Sequence, residues 1–148
     1  MASGPAPWNI VLIEDHDPDV FLIKEALSAH QIKSSITHFR DGEEAIRRLC
    51  TGNGGGLIDV PDLILLDLNM PRLAGIEVLK TIRGTPRLAR VPVAILTSSQ
   101  SPTDRREAAE AGATVYIPKQ PVLDEFLDSV GGTVLRLLSR GTDNVVNL

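Results

Sequence analysis

Several residue types that mark particular classes of protein are scarce in this sequence. Its 148 residues include one cysteine, Cys50, so no disulfide can form within the chain, and a lone thiol suits a reducing compartment. One tryptophan, one tyrosine and three phenylalanines are too few for the aromatic platform on which single-stranded nucleic acids stack. The net charge of −4 argues against nonspecific binding to nucleic acids and anionic membranes. We therefore expect neither a nucleic acid nor a membrane as a partner.

The N-terminus also lacks a long hydrophobic run. The first apolar run covers residues 10–13 and ends at Glu14, and no basic residue precedes it. A signal peptide needs about 7–15 apolar residues, and a membrane-spanning helix needs about 20. We therefore expect a soluble cytoplasmic protein.

Short apolar runs alternate along the chain with segments of helical periodicity. The runs predict five strands, over residues 9–13, 35–39, 63–66, 91–96 and 113–117. A helical segment follows each of them. This strict alternation predicts right-handed crossovers and a five-stranded parallel sheet covered by helices on both faces. The fold class is therefore α/β, a doubly wound domain of the flavodoxin-like kind.

The length allows one domain with one core. We expect a flexible N-terminus over residues 1–7, the domain over residues 8–138 and a loose tail over residues 139–148. The glycine-rich segment 52–56 precedes the third strand, so it is predicted to be a flexible connection rather than a phosphate-binding loop.

Local signals predict where the helices begin and end. Asp17, Asp41 and Ser101 stand where N-capping residues are expected, each just before a helical segment. Gly131 and Gly132 interrupt the last apolar stripe, at about 1 kcal/mol for each glycine relative to alanine. We therefore expect the last helix to bend or stop at that pair.

A second local feature is a small basic segment between the third helix and the fourth strand. Arg83, Arg87 and Arg90 lie in it. We expect their side chains to be solvated rather than to contact nucleic acid.

Polar side chains follow the strands at the edge where a doubly wound sheet binds its ligand. Glu14 and Asp15 follow the first strand, Asp67 the third, Thr97 the fourth and Lys119 the fifth. Three neighbouring carboxylates repel one another unless a cation is present, and carboxylate oxygens with water suit Mg²⁺. A carboxylate in such a site can attack phosphorus to form an acyl phosphate, with an ammonium and a hydroxyl group stabilising the phosphoryl oxygens.

These residues stand in motifs that together resemble the receiver domains of bacterial response regulators. The resemblance spans residues 8–138 and rests on Ile13-Glu14-Asp15, Leu65-Leu66-Asp67-Leu68-Asn69-Met70-Pro71, Gly75, Leu96-Thr97-Ser98 and Tyr116-Ile117-Pro118-Lys119. The stretches IEDHDPDVFLIKEAL, RDGEEAIRRL and PDLILLDLNMP further resemble stand-alone regulators that serve bacterial phytochromes.

The resemblance implies a signalling role in place of enzymatic turnover. Asp67 would accept a phosphoryl group from a sensor histidine kinase. The narrower resemblance, to regulators that serve bacterial phytochromes, implies that this kinase is a phytochrome. Mg²⁺ would be held by Glu14 through water, by Asp15, by Asp67 and by the main-chain carbonyl of Asn69. Lys119 would contact the phosphoryl oxygens.

The resemblance also implies a conformational switch and a partner surface. Thr97 would move to bond the phosphoryl group, and Tyr116 would turn inward with it. Regulators of this kind tend to dimerise through the fourth helix, fifth strand and fifth helix, with a C-terminal segment. Four apolar residues beyond the glycine pair are candidates for such a homodimer contact or else complete the core: Val134, Leu135, Leu137 and Leu138.

Two departures from the family pattern leave alternatives open. The family usually places a proline directly after the lysine, in the cis form, whereas Gln120 here separates Lys119 from Pro121. This leaves the geometry of the loop that carries Lys119 undefined. It also keeps open the alternative that the protein is a scaffold that works without phosphorylation. Ala74 replaces an acidic residue before Gly75, where little effect is expected. A phosphohydrolase of the haloacid dehalogenase kind is disfavoured, because Asn69 stands where that family needs a second acid.

Overall fold

The computed structural model of the chain describes residues 6–139, in which five strands alternate with five α-helices. The predicted N-terminal segment and tail lie almost entirely outside the described residues. The elements, in chain order, are β1 (Trp8–Ile13), α1 (Asp17–Ala29), β2 (Ser34–Phe39), α2 (Gly42–Ile46) continued by a π-helical turn (Arg47–Thr51), β3 (Leu63–Leu66), α3 (Gly75–Arg83), a 3₁₀ turn (Pro86–Leu88), β4 (Val93–Thr97), α4 (Pro102–Glu110), β5 (Val115–Pro118) and α5 (Leu123–Ser139).

The five strands form one parallel sheet in the order β2-β1-β3-β4-β5, which confirms the predicted fold class. The strand order reverses between β1 and β3, and doubly wound sheets bind their ligands at this kind of reversal. Ile13 pairs with Leu66 in the register of these two strands. The residues that follow, Glu14 and Asp67, therefore leave the sheet side by side.

Helices cover both faces of the sheet, so the inner strands are apolar on both sides. Ile10 and Leu12 of β1 pack with α1 and α5, whereas Val11 and Ile13 face the core formed with α2, α3 and α4. Within residues 6–139, no helix is both long enough and apolar enough to cross a lipid bilayer.

The last helix does not break at its glycine pair, so that prediction was wrong. α5 continues through Gly131 and Gly132 to Ser139. Gly131 lies against α1, where a Cβ atom would overlap the His30 ring and approach the Ala26 carbonyl oxygen to 2.7 Å. Close packing of two helices thus requires a glycine here, and the contact with α1 offsets its low helix propensity.

Because α5 is continuous, the apolar residues after the glycine pair are placed by its periodicity. Val134, Leu137 and Leu138 are buried in the core with α1, and Leu135 is 44% exposed. Three of the four candidate contact residues therefore complete the core instead of forming a surface for a second subunit.

Two of the three arginines in the basic segment before β4 are not solvated as expected, whereas Arg90 is exposed. The Arg83 guanidinium donates to the carbonyl oxygens of Gly112 and Val91, both at 2.8 Å. Arg87 donates to the carbonyl oxygens of Leu49 and Ile58, at 2.7 and 2.6 Å. Both side chains satisfy carbonyl groups at the ends of neighbouring elements, so their role is structural.

Two of the three predicted N-caps are confirmed. The Asp41 carboxylate accepts a hydrogen bond from the Glu44 amide, and Ser101 Oγ accepts one from the Asp104 amide. Asp17 is the first residue of α1 instead of its cap, and its carboxylate binds Arg40 at 2.5 Å. That ion pair takes the carboxylate away from the helix N-terminus.

Candidate functional site

The predicted acidic residues meet at the carboxyl edge of β1 and β3. Glu14, Asp15 and Asp67 each offer a carboxylate oxygen, and these oxygens lie within 4.8 Å of one another. Glu14 and Asp67 are only 1% and 5% exposed. Buried like charges at this spacing favour a bound cation, and an all-oxygen donor set fits a hard divalent ion such as Mg²⁺. The residues present therefore fit the metal that the sequence predicted.

The loop after β3 is held close beneath Asp67. The Asn69 amide donates to Asp67 Oδ1 at 3.1 Å, and the Gly75 amide donates to the Leu68 carbonyl at 3.0 Å. A Cβ atom on Gly75 would overlap the Asp67 carbonyl oxygen and would lie 2.5 Å from the Leu68 Cα. The glycine of the sequence motif thus lets α3 begin directly against the backbone that carries Asp67.

Lys119 reaches the acidic cluster even though Gln120 separates it from Pro121. The Lys119 amide donates to the Thr97 carbonyl at 2.8 Å, which fixes the end of β5 beside β4. Lys119 Nζ lies 3.0 Å from Glu14 Oε1 and 3.5 Å from Asp67 Oδ2. All the described peptide bonds are trans. The departure from the family pattern therefore leaves the lysine at the site.

A fourth carboxylate, which the sequence analysis missed, also binds this lysine. Asp19 Oδ2 lies 2.7 Å from Lys119 Nζ and 3.0 Å from His16 Nδ1. Asp19 is in the first turn of α1, and α1 begins at the same edge of the sheet as the acidic cluster. This position, just after the Glu14-Asp15 pair, is the one signal in the sequence that could have identified it.

The pKa values of Glu14 and Lys119 are both raised, for different physical reasons. Burial and the neighbouring Asp67 charge raise the pKa of Glu14 from 4.5 to about 7, although Lys119 partly opposes them. Burial alone would lower the pKa of Lys119, but its hydrogen bond to Asp19 and the charges of Asp67 and Glu14 raise it above its ordinary value. Lys119 therefore keeps its positive charge at neutral pH, and Glu14 without a metal keeps its proton to a higher pH than an ordinary glutamate does.

Thr97 is fully buried at the end of β4 and belongs to a second hydrogen-bond network. Its Oγ1 accepts from Asn69 Nδ2 at 3.0 Å and from the Ser99 amide at 3.3 Å. Ser99 Oγ in turn donates to Asp104 Oδ2 in the first turn of α4. The Tyr116 hydroxyl donates to the Ser99 carbonyl at 2.9 Å. The two predicted switch residues are thus connected through Ser99, and through it to α4.

Sequence reasoning named Asn69 only for its main-chain carbonyl and missed the roles of Ser99 and Asp104. The run Thr97-Ser98-Ser99 was a visible signal, because closely spaced hydroxyl groups commonly bond to nearby backbone. The ring of Tyr116 is also covered by Arg105, whose guanidinium carbon lies 4.7 Å from the ring centroid.

Comparisons with known proteins identify a family model and several relatives that this chain resembles. Residues 10–130 match the family model of the response regulator receiver domain. The chain is 36% identical over 113 residues to the probable methanogenesis regulatory protein FilR2 of Methanothrix harundinacea, which covers 76% of this chain and 72% of that protein. It is 35% identical over 130 residues to response regulator Rcp1 of Synechocystis sp., with 88% of each chain covered.

Two solved structures extend the likeness to almost the whole fold. The phosphorylated cyanobacterial phytochrome response regulator RcpA superposes with a TM-score of 0.77 at 32% identity, covering 95% of this chain and 98% of that one. The Mn²⁺-bound form of Rcp1 also gives 0.77 at 32% identity, covering 96% of this chain and 99% of the other.

Proposed function

The chain belongs to the response regulator receiver domain family, and on that premise we propose that Asp67 accepts a phosphoryl group from a sensor histidine kinase. Receiver domains are signalling domains, and this one would act through a phosphorylation-driven change of shape. The observation that carries the proposal is the placement of Asp67 between two further carboxylates and the ammonium group of Lys119.

The residues of the site have separate roles in phosphoryl transfer. A carboxylate oxygen of Asp67 attacks phosphorus as the P–N bond to the kinase histidine breaks, and the imidazole leaves with the electron pair of that bond. Glu14 through water, Asp15, Asp67 and the Asn69 carbonyl would hold Mg²⁺. When bound, Mg²⁺ supplies positive charge that offsets the charge of the phosphoryl oxygens.

Lys119 and Thr97 supply the remaining stabilisation. The Lys119 ammonium offers N–H donors to a phosphoryl oxygen, and the Thr97 hydroxyl offers one more. A movement of Thr97 towards the phosphoryl group would break the hydrogen bonds that its oxygen accepts from Asn69 and the Ser99 amide. Its movement would disturb the bonds of Ser99 to Asp104 and Tyr116, and so carry the signal to α4 and β5.

A kinase partner needs a surface beside Asp67 because its phosphohistidine has to reach the carboxylate. Phe21, Val122 and Leu123 are large apolar residues that are more than half exposed. They lie at the start of α1 and α5, the helices that begin at the edge carrying Asp67. The likeness to Rcp1 and RcpA supports a kinase of the phytochrome type, and we place the pathway in the cytoplasm.

Homodimerisation through α4, β5 and α5, with the C-terminal segment, stays part of the proposal. β5 pairs only with β4 in the described residues, so its outer edge is open there. A groove of about 300 Å³ beside this edge is lined by Arg105, Tyr116, Ser129, Thr133 and Arg136. The molar mass in solution with and without beryllofluoride, measured by light scattering, tests the dimer.

Phosphorylation itself is tested with a small phosphodonor such as acetyl phosphate. In the presence of Mg²⁺ the wild-type protein should gain one phosphoryl group by intact-mass spectrometry, and Asp67→Asn should gain none. Asp59→Asn is the matched control, because Asp59 is an exposed carboxylate in the loop before β3, at the end of the sheet opposite to Asp67. A wild-type protein that is never modified would overturn the proposal and favour the scaffold that works without phosphorylation.

A further inference from the structure

The carboxylate nearest to the Lys119 ammonium group is not the one expected to carry the phosphoryl group. Lys119 Nζ lies 2.7 Å from Asp19, 3.0 Å from Glu14 and 3.5 Å from Asp67. An ammonium group has three N–H donors, so each of the three carboxylates takes one. Asp67 receives the longest and weakest of the three hydrogen bonds.

Asp19 is well placed to hold the lysine in this position. Its side chain is 19% exposed and that of Lys119 is 12% exposed, so water screens the pair only partly. Its backbone lies in the first turn of α1, where its amide donates to the His16 carbonyl at 3.0 Å. Asp19 lies outside the group of carboxylates that could share a metal ion. Its contact with Lys119 therefore calls for a role other than metal binding.

We propose, taking the function proposed above as the premise, that Asp19 is a positioning residue that anchors Lys119 in the resting protein and opposes its transfer to a phosphoryl group on Asp67. A phosphoryl group on Asp67 draws the ammonium towards its own oxygens, and the hydrogen bond to Asp19 is lost. The activated state thus forms at the expense of this ion pair. Asp19 thereby limits how readily the site responds to phosphorylation.

A phosphoryl mimic, beryllofluoride with Mg²⁺, tests the anchor at equilibrium. Asp19→Asn keeps the shape of the side chain and removes its charge, so it should bind beryllofluoride about tenfold more tightly than wild type, the size expected for one charge-assisted hydrogen bond. Asp19→Ser should show the same tightening. Asp17→Asn removes another carboxylate of the same helical turn, one that binds Arg40 instead of Lys119. This variant should leave the affinity for beryllofluoride unchanged. Unchanged or weaker binding by both Asp19 variants would overturn the proposal.

Asp19→Asn in a Lys119→Ala background distinguishes two roles of the Asp19 carboxylate. It either anchors the lysine or only repels the bound anion. If Asp19 acts through the lysine, Asp19→Asn should change the affinity less than twofold once the lysine is gone. An equal tightening in both backgrounds would mean that Asp19 only repels the anion, and would also overturn the proposal.

A metal-free measurement keeps this test separate from that of the proposed function. In magnesium-free protein, the ¹H–¹³C signal of the Lys119 ε-methylene group should shift on Asp19→Asn and stay in place on Asp17→Asn. A signal that does not move would show that Asp19 does not hold the lysine. Failure of wild type to bind beryllofluoride, with the expected shift still seen, would instead count against the proposed function alone.

Discussion

The side-chain amide of Asn69 donates a hydrogen bond to the hydroxyl of Thr97, with 3.0 Å between Nδ2 and Oγ1. The same oxygen accepts from the Ser99 amide at 3.3 Å. In this arrangement the hydroxyl oxygen faces two donors, so Thr97 is held in the resting position of the proposed switch. Asn69 thus joins the loop that carries Asp67 directly to the strand that carries Thr97.

Replacing Asn69 by alanine should loosen this hold. Loss of one hydrogen bond is worth about 1 kcal/mol, so the Ser99 amide should exchange with solvent about fivefold faster. The Thr97 methyl signal should move at the same time. Hydrogen exchange followed by NMR measures both effects, and Asn53→Ala in the exposed loop before β3 is the control. Unaltered protection of Ser99 would show that Asn69 does not hold Thr97.

The glycine pair in α5 gives a matched comparison of packing against helix propensity. Gly131→Ala should destabilise the protein by about 2 kcal/mol, because the added methyl group would overlap His30, the residue that follows α1. No atom lies within 4 Å of a Cβ on Gly132, so Gly132→Ala should stabilise it by about 0.5–1 kcal/mol. Urea unfolding measures both changes. Equal effects of the two substitutions would show that the α1–α5 contact is not close.

The sequence allowed the fold to be predicted because local and global signals agree in it. The fully apolar run at β3 and the cap at Ser101 each had one consistent interpretation, and both are confirmed. The break at Gly131 was wrong because helix propensity is local, whereas the contact with His30 comes from residues about 100 positions earlier in the chain.

The candidate site was predictable to the extent that strand ends define it. The topology alone brings residues that directly follow β1, β3 and β5 to one edge. Asp19 could not be selected in this way, because it lies inside a helix and its role depends on where the Lys119 side chain extends. The Asn69 amide was missed for a related reason, since its partner lies 28 residues away on another strand.

The guanidinium group of Arg87 offers a test of the segment that was expected to be solvated. Its two hydrogen bonds, to the Leu49 and Ile58 carbonyls, join the end of the second helix to the loop before β3. Arg87→Ala should therefore lower the free energy of unfolding by about 2 kcal/mol. Arg90→Ala, at an exposed arginine in the same segment, should change it by less than about 0.5 kcal/mol. Similar thermal unfolding curves for the two variants would contradict the structural role of Arg87.

The raised pKa of Glu14 predicts how stability depends on pH when no metal is present. Burial and the Asp67 charge raise this pKa from 4.5 to about 7, so the folded protein keeps a proton that the unfolded chain releases. The stabilisation is complete below about pH 4.5 and is lost as the pH rises through 7, a change of about 3 kcal/mol.

Urea unfolding in EDTA between about pH 5 and pH 8 measures this loss. Glu14→Gln should flatten the dependence because its side chain cannot ionise, whereas Glu25→Gln, at an exposed position of α1, should leave it as in wild type. Mg²⁺ should raise the stability most at the high end of the range, where the carboxylates that would bind it are ionised. A wild-type stability that rises over this range would contradict a protonated Glu14 in the metal-free protein.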